Sequence, residues 1–210
     1  MIGLLLKHFY TLRQYGKTML FMLVFFGVIS ALVDNPATFF EGMIILMSTM
    51  ITITSFSYDA LAKWDRYALS LPVTRKEIVG GKYLLSILFC FGGAVLSFLI
   101  STLVLILKPV EGFEMTEHLY ATTAILCVAL FFISILLPLT FRFGVEKSRI
   151  FMLAIFAAPT AAVIALDKMG VPMPSEAELL ALVKLLPFGI LLLYLLSYLL
   201  SVRIYSAKEL

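Results

Sequence analysis

The sequence predicts an all-α fold, a polytopic bundle of six transmembrane helices with both termini in the cytoplasm. Of the 210 residues, 62% are hydrophobic and 14% are charged, and the mean hydropathy is +1.06. A soluble chain of this composition would expose apolar surface everywhere, so its natural solvent is lipid. The lengths of the apolar runs and a one-sided distribution of basic residues support the same fold class.

Six apolar runs approach the length of about 20 residues with which a helix crosses a hydrocarbon core about 30 Å thick. They cover residues 18–33, 39–58, 83–107, 119–141, 150–166 and 185–202. None alternates like an outer-membrane strand, and helices satisfy their own backbone hydrogen bonds. We therefore expect a single membrane domain over 1–210. It comprises an interface helix (1–17), spans one and two (18–58), a cytoplasmic segment (59–82), spans three to five (83–166), an outer segment (167–184), and span six with a cytoplasmic tail (185–210).

The basic residues are unevenly distributed between the gaps. Thirteen lysines and arginines lie in 1–17, 59–82, 142–149 and 203–210, whereas the other gaps hold only Lys108, Lys168 and Lys184. Cytoplasmic loops carry such an excess in membrane proteins, so both termini are predicted inside. Orientation in the membrane thus explains the basic residues, and we expect no nucleic-acid partner.

Ionisable side chains are nearly absent from the spans. Glu41, near one end of the second span, is the single possible exception. An intramembrane charge costs about 2.5 to 3.5 kcal/mol on insertion scales and is kept where ions or protons move. The pattern therefore argues against a proton-driven transporter or a channel with a charged filter.

Small polar residues follow one face of two spans. In the second span this face consists of Ser48, Thr52 and Ser55, which we expect to look into the bundle, either to pack the helices or to line a pathway. In the third span Gly93, Ser97 and Ser101 suit close helix contact, within this chain or between two copies.

Motifs for chemistry are incomplete. The GKT at 16–18 resembles the end of a Walker A loop, but Thr11 stands where the first glycine would be. His8 and His118 are predicted on opposite sides of the membrane and cannot pair as metal ligands, and the two cysteines show no metal or disulfide spacing. We expect no catalytic, cofactor or metal site in this chain.

The two cytoplasmic stretches have helical patterns. Residues 1–17 form a basic amphipathic helix, expected to lie along the membrane surface. After the second span we expect a short helix. Its apolar face consists of Leu61, Trp64, Ala68 and Leu71, and its polar face consists of Asp59, Lys63, Arg66 and Ser70. Pro72 ends it, and a capping box of Thr74 and Glu77 starts a second helix that continues into the third span. These concordant signals favour a folded docking element over a plain loop.

This segment, SFSYDALAKWDRYALSLPVTRKEIVGGKY from residue 55, resembles the membrane subunits of ABC-2 type transporters. It is most similar to the bacterial branch that includes phenol-soluble modulin exporters. The amphipathic start (GLLLKHFYTLRQY), the six spans and a helical outer segment extend the resemblance over nearly the whole chain. Its most specific part is 56–83.

The resemblance implies the permease subunit of an ATP-driven exporter in the bacterial plasma membrane. Such a subunit dimerises, with itself or with a homologous chain, and binds two copies of a separate ABC ATPase that hold ATP and magnesium. The coupling helix would run over 59–71, and the expected ATPase contacts are Asp59, Leu61, Lys63, Trp64, Asp65, Arg66 and Leu71. Because the spans offer hydroxyls and apolar surface, we expect a hydrophobic or amphipathic cargo, such as phenol-soluble modulins or antimicrobial peptides.

The outer segment has a helical pattern of its own. Ser175 and Glu178 form a capping box, and one apolar face is expected from Leu179, Leu182, Val183 and Leu186. By resemblance this face would gate the outer exit. The pattern fits a separate outer helix and the first turns of the sixth span equally well.

A second hypothesis belongs to another class of protein. The chain would be a non-transporting membrane scaffold or sensor that docks a cytoplasmic partner through the same segment. A membrane enzyme would need a paired nucleophile or a metal cluster, neither of which the sequence offers.

Overall fold

The computed structural model describes residues 2–13, 16–30, 36–68, 70–107, 114–170 and 176–208. The secondary structure in these ranges consists of helices: α1 (Ile2–Arg13), α2 (Gly16–Ser30), α3 (Pro36–Leu61), α4 (Trp64–Ala68), α5 (Arg75–Leu107), α6 (Met115–Lys168) and α7 (Glu176–Ser206). For the part of the chain that is described, the predicted all-α class is confirmed.

Four of these helices are long and apolar enough to cross a membrane. Their candidate spans are Phe39–Leu61, Arg75–Ile106, Met115–Ile155 and Ala181–Ser206, and α2 adds a shorter apolar stretch, Gly16–Ile29. The predicted first span falls on α2, and the predicted fourth and fifth spans both fall within α6. The count of six spans therefore stays a prediction.

A break at Gly144 divides α6. The backbone there has φ +79° and ψ 174°, outside the helical region and accessible to glycine at little cost. The ring centroids of Phe143 and Phe151 lie 5.4 Å apart, whereas eight residues of straight helix rise about 12 Å. The helix therefore bends between the two apolar runs that the sequence assigns to separate spans.

The core lies where the long helices meet. α3 packs mainly on α5, and α6 mainly on α7. One buried cluster joins α3, α5, α6 and α7 through side chains that include Phe56, Tyr83, Phe141 and Tyr205. Apolar side chains on the outer faces of α2, α5 and α7 remain exposed, as expected of helices whose surroundings are lipid.

α3 and α5 approach each other closely at Gly93. A Cβ at this position would lie 2.8 Å from Ser48 Cβ and closer still to Ser48 Oγ, so only glycine fits. Ser97 and Ser101, further along α5, are also buried. The small-residue stripe is thus buried within this chain, with Gly93 against α3, and of the two predicted roles the structure shows packing within one copy.

The elbow, which we define as residues 61–75, runs from the last residue of α3 to the first residue of α5. Its predicted capping box is confirmed: Glu77 Oε2 accepts hydrogen bonds from the amide and hydroxyl of Thr74, both at 2.8 Å, and the Glu77 amide donates to Thr74 Oγ1. The helix predicted over 59–71 is not continuous. Lys63 adopts a φ of 49°, so Asp59 belongs to the last turn of α3 and α4 covers only Trp64–Ala68.

The outer segment does not form a separate helix in its second half. α7 runs without interruption from Glu176 to Ser206 and includes Pro187. The predicted gate therefore lies on the first turns of the same helix as the sixth span. Leu182 is exposed there, and Val183 and Leu186 are half-buried. Ser175 and the side chain of Leu179 lie outside the described residues.

Candidate functional site

A cluster of charged and polar side chains lies directly beneath the elbow. We define the elbow cluster as Lys7, His8, Ser55, Asp59 and Lys82. Asp59 forms ion pairs with Lys7 and with Lys82, the latter at 2.6 Å between Nζ and Oδ2. The side chains of Asp59 and Lys82 are 9% and 4% exposed. Buried charges are tolerated when they are paired in this way, and this pairing joins α1, α3 and α5.

Ser55 extends the cluster to His8. Lys82 Nζ donates a hydrogen bond to Ser55 Oγ at 2.7 Å, and the same oxygen lies 3.0 Å from His8 Nδ1. Burial, and then the nearby charge of Lys82, lower the pKa of His8 to about 3. His8 is therefore neutral at pH 7, and its Nδ1 can accept the Ser55 proton.

Lys7 also connects α1 to the elbow helix α4. Its Nζ lies 3.5 Å from the ring centroid of Trp64, a cation–π contact. Burial lowers the pKa of Lys7, an effect that Asp59 opposes. Through this one side chain α1 contacts the last turn of α3 and the first residue of α4.

A second set of contacts fastens the elbow to the end of α7. The Nη1 atom of Arg75 donates to the carbonyl oxygens of Tyr205, Ser206 and Lys208 at 3.1, 2.7 and 2.9 Å. These carbonyls include groups that a helix C-terminus leaves unpaired, where a cation is also favoured by the helix dipole. The Tyr205 hydroxyl donates to Asp65 Oδ1 at 3.1 Å. The elbow is therefore held on one side by α1 and on the other by α7.

The outward side of the elbow region is exposed and partly apolar. Leu61 is 81% exposed and Tyr67 is 58% exposed, and Lys63 and Pro72 of the same stretch of chain are also exposed. Beneath this surface a cavity of about 120 Å³ is lined in part by Asp59, Asp65, Lys82 and Lys208. Tyrosine is enriched at protein–protein interfaces, so this surface is a candidate contact site.

The structure divides the predicted ATPase contacts into two groups. Leu61 and Lys63 face outward, whereas Asp59, Trp64 and Asp65 are engaged with other helices of the same chain. Leu71 is half-buried, and the side chain of Arg66 lies outside the described residues. Sequence reasoning missed Lys7, His8 and Lys82, although a lysine bordering an apolar span was a usable signal.

The hydroxyl face of α3 is buried. Ser48 donates to the Ile44 carbonyl at 2.9 Å and contacts the Gly93 region, while Ser55 belongs to the elbow cluster. Thr52 Oγ1 has no hydrogen-bond partner among the described residues. Ser48 also lines an apolar groove of about 380 Å³ between α2, α3 and α5, together with Leu20, Leu23, Ile44, Leu88 and Leu96.

No group of three or more His, Cys, Asp or Glu side chains that could hold a metal ion occurs within the described ranges. The elbow region offers an exposed surface at one end of the helical bundle, joined to α1 by a cation–π contact and to α7 by hydrogen bonds.

A family model described as an ABC-2 family transporter protein matches residues 3–206. No curated protein and no solved structure matches the chain significantly. The family match extends from α1 to the end of α7 and includes the elbow and both sets of contacts that hold it. The chain therefore belongs to the ABC-2 transporter family, as a multi-pass membrane subunit.

Proposed function

We propose that this chain is the permease subunit of an ATP-driven exporter and that its elbow is the docking site for a separate ABC ATPase. Family membership supports a role in membrane transport, together with an ATPase partner of the kind with which such permeases typically work. The proposed location of the docking site rests on one observation. The elbow region presents Leu61 and Tyr67 outward while Asp59, Asp65 and Arg75 hold it to the bundle.

Because the elbow contacts several helices, a displacement of the elbow would move those helices together. Displacement of α4 acts on α1 through Trp64 and Lys7, and on α7 through Asp65 and Tyr205. Breaking a buried ion pair costs about 3 to 5 kcal/mol, against about 0 to 1 kcal/mol for a pair on the surface. The cluster beneath the elbow is therefore suited to remain intact while the helices move.

The proposal includes the membrane topology predicted from the sequence. It has six spans with both termini in the cytoplasm of a bacterial cell, α2 being the first span and the two parts of α6 being the fourth and fifth. The bend at Gly144 supports the division of α6, and the basic residues support the orientation. Two permeases, identical or homologous, would pair in the membrane, with one ATPase on each elbow supplying ATP and magnesium.

We assign a hydrophobic or amphipathic cargo, with amphipathic peptides such as phenol-soluble modulins as the leading class. The groove between α2, α3 and α5 supports this assignment, because Ser48 and glycines are its only interruptions to an apolar lining. The face formed by Leu179, Leu182, Val183 and Leu186 on the first turns of α7 would then border the exit.

The docking site can be tested by charge substitution on the outward side of the elbow region. We expect the double variant Leu61→Glu, Tyr67→Glu to lose co-purification with the candidate ATPase and to lose cargo-stimulated ATP hydrolysis. Placing two carboxylates in a desolvated apolar contact is strongly unfavourable. Lys147→Glu, which also places a carboxylate at an exposed position, is the control and should retain both properties.

The outcome distinguishes the two classes of function. Unchanged binding and ATP hydrolysis in the double variant would show that the elbow is not the docking site. If the protein captured on the elbow has no ATPase activity, the scaffold or sensor hypothesis replaces the exporter.

A further inference from the structure

A second buried polar cluster lies at the end of the bundle opposite the elbow, where α3, α5 and α6 meet. We define the Glu41 cluster as Glu41, Ser101, His118 and Thr122. Glu41 of α3 has 0% of its surface exposed. Its Oε1 atom accepts hydrogen bonds from Ser101 of α5 at 2.7 Å and from Thr122 of α6 at 2.9 Å, and His118 Nε2 lies 3.2 Å from the same oxygen. One carboxylate oxygen therefore joins three helices.

The Glu41 cluster differs from the elbow cluster in how its carboxylate is held. Asp59 is paired with two lysines, whereas no lysine or arginine of the described residues forms an ion pair with Glu41. The contacts of Glu41 come from two hydroxyls and an imidazole and converge on Oε1, while the buried Oε2 has no hydrogen-bond partner among the described residues. A half-satisfied carboxylate holds its neighbours less firmly than a fully paired one. The helices are therefore easier to separate at this end than at the elbow.

The adjoining layer of the bundle is apolar. On the side toward the elbow, Ile45, Ala94 and Ala129 pack together, one from each of the same three helices. Lipid tails are as apolar as these side chains, so such contacts give the helices little preference for one another over lipid. Lipid tails cannot replace the hydrogen bonds to Glu41. The Glu41 cluster therefore holds this end of α3, α5 and α6 together in a way that the apolar layer does not.

We propose that the Glu41 cluster is a latch, whose hydrogen bonds hold α6 against α3 and α5 in the closed bundle and break when the bundle opens at this end. Opening moves Thr122 and His118 away from Glu41. The close contact at Gly93 and the ion pair between Asp59 and Lys82 keep α3 and α5 together meanwhile. In the topology proposed above this end is the outer side, so the latch would control the exit for cargo. That role rests on the proposed function, whereas the opening itself is a property of this chain.

The latch can be tested on the full chain alone in lipid nanodiscs, without the ATPase. Spin labels are attached to cysteines introduced by Leu103→Cys on α5 and Tyr120→Cys on α6, two exposed positions close in sequence to the Glu41 cluster. Cys90 and Cys127 are replaced by serine in this background. Electron paramagnetic resonance then measures the distance between α5 and α6. Labelled chain is diluted with unlabelled chain, so that the distances arise within one copy.

Thr122→Val removes the hydroxyl that reaches Glu41 and keeps the shape of the side chain. We expect a second, longer distance in this variant, with the ratio of the longer to the shorter distance raised about tenfold over the wild type, because a hydrogen bond to a charged group is lost. Thr123→Val is the matched control. The Thr123 hydroxyl donates to the Leu119 carbonyl of its own helix at 2.8 Å, so this variant should retain the wild-type distances.

Glu41→Gln is a second variant, because it keeps the size of the side chain and replaces the carboxylate by a weaker, neutral acceptor. It should populate the same longer distance as Thr122→Val. Unchanged distances in both variants, or a single broadened distribution without a second distance, would overturn the proposal.

The role in export is tested in the complex with the candidate ATPase. A non-hydrolysable ATP analogue should populate the longer distance in the wild-type chain. A bound ATPase that leaves only the shorter distance would overturn the role of the latch in export. Failure of the ATPase to bind would contradict the proposed function, whereas the latch would still be decided by the two variants of the chain alone.

Discussion

The fit between α3 and α5 is decided by single atoms at Ser48 and Gly93. The missing Cβ of Gly93 is the space that the Ser48 side chain occupies, and Ser48 in turn bonds the Ile44 carbonyl of its own helix. In the interior of a membrane protein, where lipid is as apolar as the helices, such close approach supplies much of the association. The glycine is therefore required by its neighbour and not by its own backbone conformation.

We expect Gly93→Ala to destabilise the folded chain by about 1 to 3 kcal/mol, because overpacking forces side chains or backbone to shift. Gly92→Ala is the matched control, since a Cβ there meets nothing within 4 Å. It should be neutral or slightly stabilising, by up to about 1 kcal/mol. Thermal unfolding in the same detergent measures both variants, and equal midpoints would contradict the close contact.

Sequence reasoning identified Glu41 and Ser101 but not the residues that they contact. Glu41 stood out as the one acidic residue near a span, and Ser101 was placed on a helical face. The hydroxyls that bond Glu41 belong to residues 60 and 81 positions away. Helical periodicity shows which side chains share a face, whereas which faces meet depends on packing between distant segments.

At the scale of helices, the elbow shows that Asp59 forms ion pairs with distant lysines in place of the expected pair with a neighbouring lysine in the sequence. The sequence places Asp59 four residues before Lys63, an order that stabilises an isolated helix by about 0.3 to 0.5 kcal/mol. In the fold Asp59 is bound to Lys7 and Lys82 instead, and the helix ends before Lys63. A charge buried in the bundle requires a partner of opposite charge that is also in the bundle, so the weaker surface pair between Asp59 and Lys63 does not form.

We expect Asp59→Asn to cost about 3 kcal/mol of stability, because it removes the carboxylate that pairs with the buried Lys82. Glu146→Gln is the control, since its pair with Arg149 is on the surface and should matter by less than about 1 kcal/mol. Adding Lys82→Met to Asp59→Asn should recover part of the loss by removing one uncompensated charge. Denaturation in mixed micelles measures the three variants, and a loss in Asp59→Asn no larger than in Glu146→Gln would contradict the buried pairing.

For the whole molecule, composition and local signals predict the class of fold and several helix boundaries. The all-α class and the Thr74 capping box depend on neighbouring residues only, and both are confirmed in the described residues. The number of spans depends on the path of α6, whose break rests on the backbone of one glycine. A glycine between two apolar runs permits either a bend or a straight helix, so the sequence could not distinguish them.

A topology map tests the path of α6. In a background with Cys90 and Cys127 replaced by serine, we expect a cysteine at Lys168 to react with an impermeant thiol reagent in intact cells. A cysteine at Lys147 should react only after the membrane is permeabilised, because six spans place it in the cytoplasm. Protection of both positions would instead indicate that α6 crosses the membrane once.

The elbow cluster also has a consequence for how the chain is assembled. Lys7 is paired with a carboxylate 52 positions later. Asp59 is also paired with Lys82 of α5, and Ser55 links Lys82 to His8. During synthesis α1 leaves the ribosome first, yet none of its buried partners exists until α3 and the start of α5 have been made. We therefore expect the first helix to wait at the membrane surface, to which its amphipathic pattern is predicted to bind. α1 is fixed in place only once Lys82 of α5 has been made, so insertion of the third predicted span is the step that completes the elbow end of the bundle.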